Sequence, residues 1–211
     1  MLSCLVGSEM CIRDRFLSKN KDIDNWFLQI ECFDPHEPFH APKRFKELFP
    51  TNYDGPILDW PIYDRVKETR EEISELKANY AALVTMVDEY FGKLLDYFDR
   101  YDLWKDTALI LTTDHGFLLG EHDWWAKNRM PVYNEIAHIP LMIYHPDFKN
   151  KSGARINSLT QTIDIMPTFL DFFGLDIPSD VSGKSLLNVL KKDNEIRKAL
   201  IFGYFGSACN I

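Results

Sequence analysis

Two short runs place side chains suited to cation and oxyanion binding at turns. In Asp34-Pro35-His36-Glu37-Pro38 the prolines fix the local backbone, so the His36 imidazole would be presented by a stiff loop. Asp114, His115 and Gly116 directly follow the apolar run Thr107–Thr113, TALILTT. An adjacent carboxylate and imidazole at a strand end can both turn toward one cation, with glycine allowing a sharp exit. Glu121-His122-Asp123 comes next, then Trp124-Trp125-Ala126-Lys127-Asn128. The Lys127 stem can pack beside the aromatic pair while its ammonium meets an anion. Each residue has a plainer structural reading. His36 could be a turn histidine making one backbone hydrogen bond, Asp114 the cap of a following turn, and Lys127 a solvated surface lysine. For His122, one of three consecutive polar residues, the turn reading is favoured.

The elements around these residues read as alternating strand and helix. Asn25–Cys32, NWFLQIEC, is a mostly apolar run stopped by Asp34-Pro35, which predicts a buried strand and a turn. Six prolines between Pro35 and Tyr63 predict an ordered surface excursion beside a site. Thr69 and Glu72 form a capping box. Behind them Ile73, Leu76, Tyr80, Leu83, Val87, Phe91, Leu94 and Phe98 recur every three or four residues, so a long amphipathic helix runs to about Arg100 and lies on the sheet. Thr107–Thr113 and Ile139–Tyr144 read as parallel strands buried on both faces. Asp164 can cap a helix that has Pro167 in its first turn and Gly174 as its stop. The pattern is that of an α/β domain, with His36, Asp114, His115 and Lys127 expected to converge at the carboxyl edge of its strands.

Composition bounds the partners. The 211 residues carry 24 Lys+Arg against 32 Asp+Glu, a net charge of −8, and the basic residues are scattered. No basic field exists to attract nucleic acid, and no apolar run is long enough for a membrane span. Cys4, Cys11, Cys32 and Cys209 form no CxxC pair, so neither a zinc site nor a disulfide framework is indicated. The opening MLSCLVGSEMCIRDR is neither a secretory signal nor a good helix or strand. It resembles a translated sequencing adapter, and residues 1–15 are expected to be non-native. The closing KALIFGYFGSACNI is apolar and aromatic, as if the chain stopped inside a strand.

TTDHGFLLGEHDWWAKN, with Tyr133-Asn134-Glu135 and His138-Ile139-Pro140-Leu141 after it, PHEPF upstream and IDIMPTFLDFFGL downstream, resembles in order the second half of the sulfatase family. That family belongs to the alkaline-phosphatase-like superfamily. The resemblance runs over about residues 24 to 211 and is closest to iduronate-type and other sugar sulfatases, with phosphonate and phosphate monoester hydrolases as near relatives. It implies an alkaline-phosphatase-like α/β fold, a mostly parallel sheet with helices on both faces. Residues 16–211 would then be a partial catalytic domain without its N-terminal portion.

By this resemblance Asp114 and His115 are ligands of one divalent metal, calcium first, with manganese or another divalent ion as alternatives. His115 departs from the Asp-Asn version of that pair. Lys127 matches the lysine that binds a sulfate oxygen, and His36 the histidine near the sulfate and the leaving oxygen. The family's nucleophile, a formylglycine made in a C/S-x-P-x-R motif, is expected in the missing N-terminal part, because neither that motif nor the early metal-binding aspartates occurs here. The implied substrate is a small-molecule or saccharide sulfate ester, and the chain alone is expected to be inactive. A phosphonate or phosphate monoester hydrolase and a non-catalytic module are the alternatives. The family implies export to periplasm, lysosome or outside.

Overall fold

A computed structural model describes residues 3–192, 195–204 and 208–210, with side chains described in 10–192 and 195–204. The helices are α1 (Ser3–Asn20), α2 (Lys43–Lys46), α3 (Arg70–Arg100), α4 (Asn134–Ala137), α5 (Ile165–Phe172) and α6 (Leu187–Lys192). The strands are β1 (Leu109–Thr112), β2 (Leu118–Leu119), β3 (Trp125–Ala126), β4 (Leu141–Tyr144), β5 (Phe202–Tyr204) and β6 (Ala208–Asn210). No helix among the described residues is long and apolar enough to cross a membrane. The chain forms two compact units, one from Met1–Lys105 with Phe117–Arg129, the other from Asp106–Gly116 with Met130–Ile211.

The first unit is built on α3. Glu72 N donates to Thr69 Oγ1 at 3.3 Å and Thr69 N to Glu72 Oε2 at 2.7 Å, the reciprocal cap read from the sequence. Of the expected stripe, Leu76, Leu83, Leu94 and Phe98 are buried, joined by Asn79, Ala82 and Met86. Ile73, Tyr80, Val87 and Phe91 are half-buried. The stripe packs with Met10, Phe39, Ala41, Phe45, Trp125 and Ala126. The helix therefore seats on the proline-rich loop and the β2–β3 hairpin rather than on a broad sheet. Polar staples fasten the loop to it: Asn79 donates to Leu58 O at 2.8 Å, and Arg44 grips Glu89 through both terminal nitrogens at 2.7 and 2.9 Å.

Two expectations fail in this unit. Residues 25–32 enter no ladder among the described residues, although burial alternates, with Trp26, Leu28 and Ile30 half-buried and Phe27, Gln29 and Glu31 exposed. The period of a strand is there, but a ladder also needs a neighbouring backbone in register. Residues 3–15 are helical, continuous with 16–20 in α1. No proline interrupts residues 3–20, and extending a nucleated helix fixes little per residue compared with starting one. Arg13 ties α1 to α3 by donating to Tyr90 O at 3.1 Å and lying over the Tyr97 ring.

In the second unit β1 pairs β4 antiparallel, with Leu109 opposite Tyr144 and Thr112 opposite Leu141. These are the two strands read as parallel and doubly buried. All of β1 is half-buried and Met142 of β4 is 59% exposed, so neither strand is buried on both faces. All three ladders among the described residues are two-stranded and antiparallel. Strand character near the C-terminus is present in the β5–β6 pair.

Gly174, at φ +67°, ends α5 as read, with Leu175 N donating to Leu170 O at 2.8 Å. Asp164 precedes α5 but its carboxylate does not cap it. Fully buried, it accepts from the backbone N–H groups of Gln161 and Lys184 and from both terminal nitrogens of Arg197. Burial works to raise this carboxyl, but the Arg197 and backbone donors outweigh it and hold Asp164 below the usual carboxylate range.

Two stability predictions follow from these contacts. Leu83 is fully buried against the first unit's core, so Leu83→Ala should lower unfolding free energy by about 2–5 kcal/mol in chemical denaturation. At Gly116 a Cβ would lie 1.8 Å from Glu135 O, and Gly116 N donates to Ile136 O at 2.9 Å. Gly116→Ala should therefore force α4 off the β1 exit and lower the melting temperature. An unshifted transition in either variant would contradict the packing described.

Candidate active site

His36 and Lys127, 91 residues apart in sequence, meet in the first unit: Lys127 Nζ lies 3.0 Å from His36 Nε2. Two local structures deliver them. His36 sits in a turn closed by His36 N donating to Phe33 O at 3.1 Å, with the Phe33 ring 4.6 Å from the imidazole. Three residues on, Phe39 is anchored in the core at 1% exposure. Lys127 follows β3, where Trp125 is wholly buried, with its backbone N–H on Asp64 O at 3.0 Å and its indole on Glu68 at 2.7 Å. The lysine stem is packed as its sequence position implied, and Lys127 is only 7% exposed, with Nζ 5.8 Å from the centre of the Phe117 ring.

The hydrogen bonds select one histidine tautomer. An ammonium donates only, so His36 Nε2 accepts from Lys127, and Nδ1 carries the proton. Nδ1 in turn donates to the Glu37 carbonyl at 2.7 Å. The imidazole is thereby neutral and aligned. Since Lys127 gives one of its three protons to His36, two remain for an anion's oxygens.

Glu37 completes the cluster and carried no role in the sequence reading. It is 1% exposed; Oε1 accepts from the Tyr63 hydroxyl, and Oε2 stands 3.9 Å from Lys127 Nζ and 3.4 Å from His36 Nδ1. Burial first, then the Glu37 carboxylate, pushes the Tyr63 phenol well above its ordinary range, so it stays a donor. The sequence signal that could have found Glu37 is its place between His36 and Pro38 in a loop whose neighbours are apolar.

Asp114 and His115 lie in the second unit, where β1 ends. His115 Nδ1 is 2.9 Å from Gly116 O, and Nε2 is 3.4 Å from Asp114 Oδ2. Asp114 Oδ1 accepts from His115 N at 2.9 Å, and its carboxyl group is mostly exposed. Desolvation pushes this carboxyl up, but the His115 charge and the N–H donors prevail and hold it below its ordinary value. If Nδ1–H is committed to the Gly116 carbonyl, the Nε2 lone pair is left for a metal, the usual second-layer arrangement for a ligating histidine. An oxygen and a nitrogen 3.4 Å apart match neighbouring donors on one cation, for bonds of about 2.1–2.4 Å. The pair fits part of a divalent site, since no group of three or more His, Cys, Asp or Glu able to hold a metal occurs among the described residues. His122 is exposed, in a turn between β2 and β3 at φ 57°, and its carbonyl accepts from Arg65.

The chain is similar to several known proteins. The N-acetylglucosamine-6-O-sulfatase of Bacteroides thetaiotaomicron is 38% identical over 131 residues, 60% of this chain and 23% of that protein. A solved protein in complex with its substrate D-glucosamine-2-N,6-O-disulfate is 34% identical with a TM-score of 0.53, covering 64% of this chain and 28% of its own. The phosphonate monoester hydrolase of Silicibacter pomeroyi superposes at a TM-score of 0.70 with 26% identity, over 92% of this chain and 43% of its own. The chain thus spans less than half the length of each, and the fold it shares with them is the alkaline-phosphatase-like α/β fold. The family model described as Sulfatase matches residues 13–175, the stretch that carries the His36–Lys127 contact and the Asp114-His115 pair, and the chain belongs to the sulfatase family.

Proposed function

We propose that residues 16–211 are part of a sulfuric ester hydrolase acting on a sulfated saccharide. The observation that carries the reading is the buried Lys127–His36 contact: an ammonium with two free protons beside a neutral, oriented imidazole. Hydrolysis of a sulfate ester builds negative charge on the sulfuryl oxygens and on the leaving oxygen. In this reading Lys127 donates to the sulfuryl oxygens, while His36 stands near the leaving oxygen and, accepting from the ammonium through Nε2, aligns it there. Asp114 and His115 would hold a divalent cation, calcium or manganese, whose chemistry when bound is that of a Lewis acid. The sugar is taken from the substrates named for two similar proteins, the N-acetylglucosamine sulfatase and the disulfate-bound structure. The nucleophile, a formylglycine, would come from sequence outside this chain.

The alternative supported by an observation is a phosphonate monoester hydrolase, because one superposes over 92% of the chain. Matched sugar sulfate and phosphonate monoester substrates, assayed on the longer protein matured so that its nucleophile forms, separate the two. Under the sulfatase reading kcat/KM is higher for the sulfate, and Lys127→Ala lowers it by about 100- to 1,000-fold. Chelation should abolish turnover and calcium or manganese restore it. Residues 16–211 alone should turn over neither ester; metal-dependent turnover by that short form, lost in Lys127→Ala, would overturn the assignment of the nucleophile.

A further inference from the structure

Glu37 Oε2 is almost wholly buried, accepts no hydrogen bond, and faces the site's only described ammonium from 3.9 Å. A carboxylate so close to Lys127 would ordinarily close to a charge-assisted hydrogen bond of about 2.8 Å. Here the other oxygen is held by the Tyr63 hydroxyl, which anchors the group at the far side. We infer that Glu37 is a built-in counter-ion for Lys127, pinned by Tyr63 at ion-pair distance so that it balances the buried charge without occupying the ammonium's protons. It is a positioning residue, and the inference rests on the reading of Lys127 as an oxyanion contact.

The consequence is a site tuned for exchange. An arriving sulfuryl group has no hydrogen bond to break at Lys127 on the Glu37 side, yet it meets a neutralised cation, so affinity for the free anion is held down. That suits a hydrolase that releases inorganic sulfate at every turnover, because tight ground-state binding of product adds nothing to catalysis. Glu37 and Tyr63 should therefore act in opposite directions when changed. Glu37→Gln keeps the shape and the Tyr63 contact while removing a unit charge near Lys127. Tyr63→Phe releases the carboxylate to swing onto the ammonium.

The test is a titration of the 211-residue chain with inorganic sulfate, followed by NMR at fixed pH and ionic strength, with folding checked by near-UV circular dichroism. Lys127→Met should abolish sulfate-dependent shifts at His36. Glu37→Gln should bind sulfate about tenfold tighter, since a unit charge roughly 4 Å away no longer competes. Tyr63→Phe should bind it about threefold more weakly, the cost of breaking a new charge-assisted bond. A merely structural role for Glu37 would weaken binding in both variants, and that result, or no change in either, overturns the inference. Should Glu37→Gln fail to fold, Glu37→Met, of similar length and uncharged, takes its place: tighter sulfate binding supports the counter-ion, and unchanged or weaker binding overturns it. If Lys127→Met leaves sulfate binding intact, the oxyanion-contact reading itself falls and takes the inference with it.

Discussion

Keeping an ammonium charged at 7% exposure is the constraint on which the first unit depends. Removing an ion from water costs several kcal/mol unless partners are supplied in fixed places. For Lys127 those partners are His36 Nε2, the Glu37 carboxylate and the face of Phe117, and none is near it in sequence except Phe117. Their places are set by apolar anchors two residues away: Phe39 beyond Glu37, and Trp125 before Lys127, both in the core cluster that α3 nucleates with Leu76 and Leu83. The helix contributes no atom to the site, yet its buried stripe holds both halves of the His36–Lys127 contact in register. Close packing of a long helix is stiff, and that stiffness is what the proposed oxyanion contact would require.

What the sequence made legible follows from how local each signal is. The α3 boundaries and cap were readable because a capping box and a 3.6-residue stripe are written within neighbouring residues. The types and places of His36 and Lys127 were readable from their runs, but their contact was not, since no local pattern spans 91 residues. Glu37 escaped because a lone glutamate beside proline looks like a solvated turn; only the fold shows its burial. The direction of β1 against β4 escaped for a different reason. A four-residue apolar strand has the same composition whether its neighbour runs parallel or antiparallel, and ladder direction is decided by the connection between them. Residues 25–32 kept the alternation of a strand without forming a ladder, which shows that periodicity reports a preferred backbone and not its pairing.

In the second unit the two buried or crowded positions have structural duties, and the donor pair is left outside them. Asp164 is consumed by Gln161, Lys184 and Arg197, which together knit the segment before α5 to the chain on either side of α6. Gly116 is consumed by the close approach of Glu135 and Ile136. Asp114 and His115 instead keep their outer oxygen and nitrogen in the open, each oriented by a backbone group of its own turn. A carboxylate with N–H support and an imidazole held in one tautomer are prepared ligands, but two donors leave a hard cation mostly to water. Strong metal binding would need oxygen donors beyond these two.

If the His36–Glu37–Lys127 cluster meets an ester as proposed, its charge bears on which ester suits it. With the imidazole neutral, one ammonium and one carboxylate sum to zero, so the cluster offers directed protons with little net field. A sulfate ester and a phosphonate monoester each carry one negative charge, whereas a phosphate monoester near neutral pH carries about −1.5 to −2. The second charge of a phosphate would sit against Glu37 Oε2 with no cation in the cluster left to balance it. The same electrostatics that would let Lys127 release a monoanion thus weigh against the dianion, and they place sulfate esters and phosphonate monoesters together on the favoured side. The named activities of two similar proteins, a sulfatase and a phosphonate monoester hydrolase, both lie on that monoanion side. Choosing between those two monoanions is then a matter for the leaving group and the saccharide contacts rather than for the charge at Lys127.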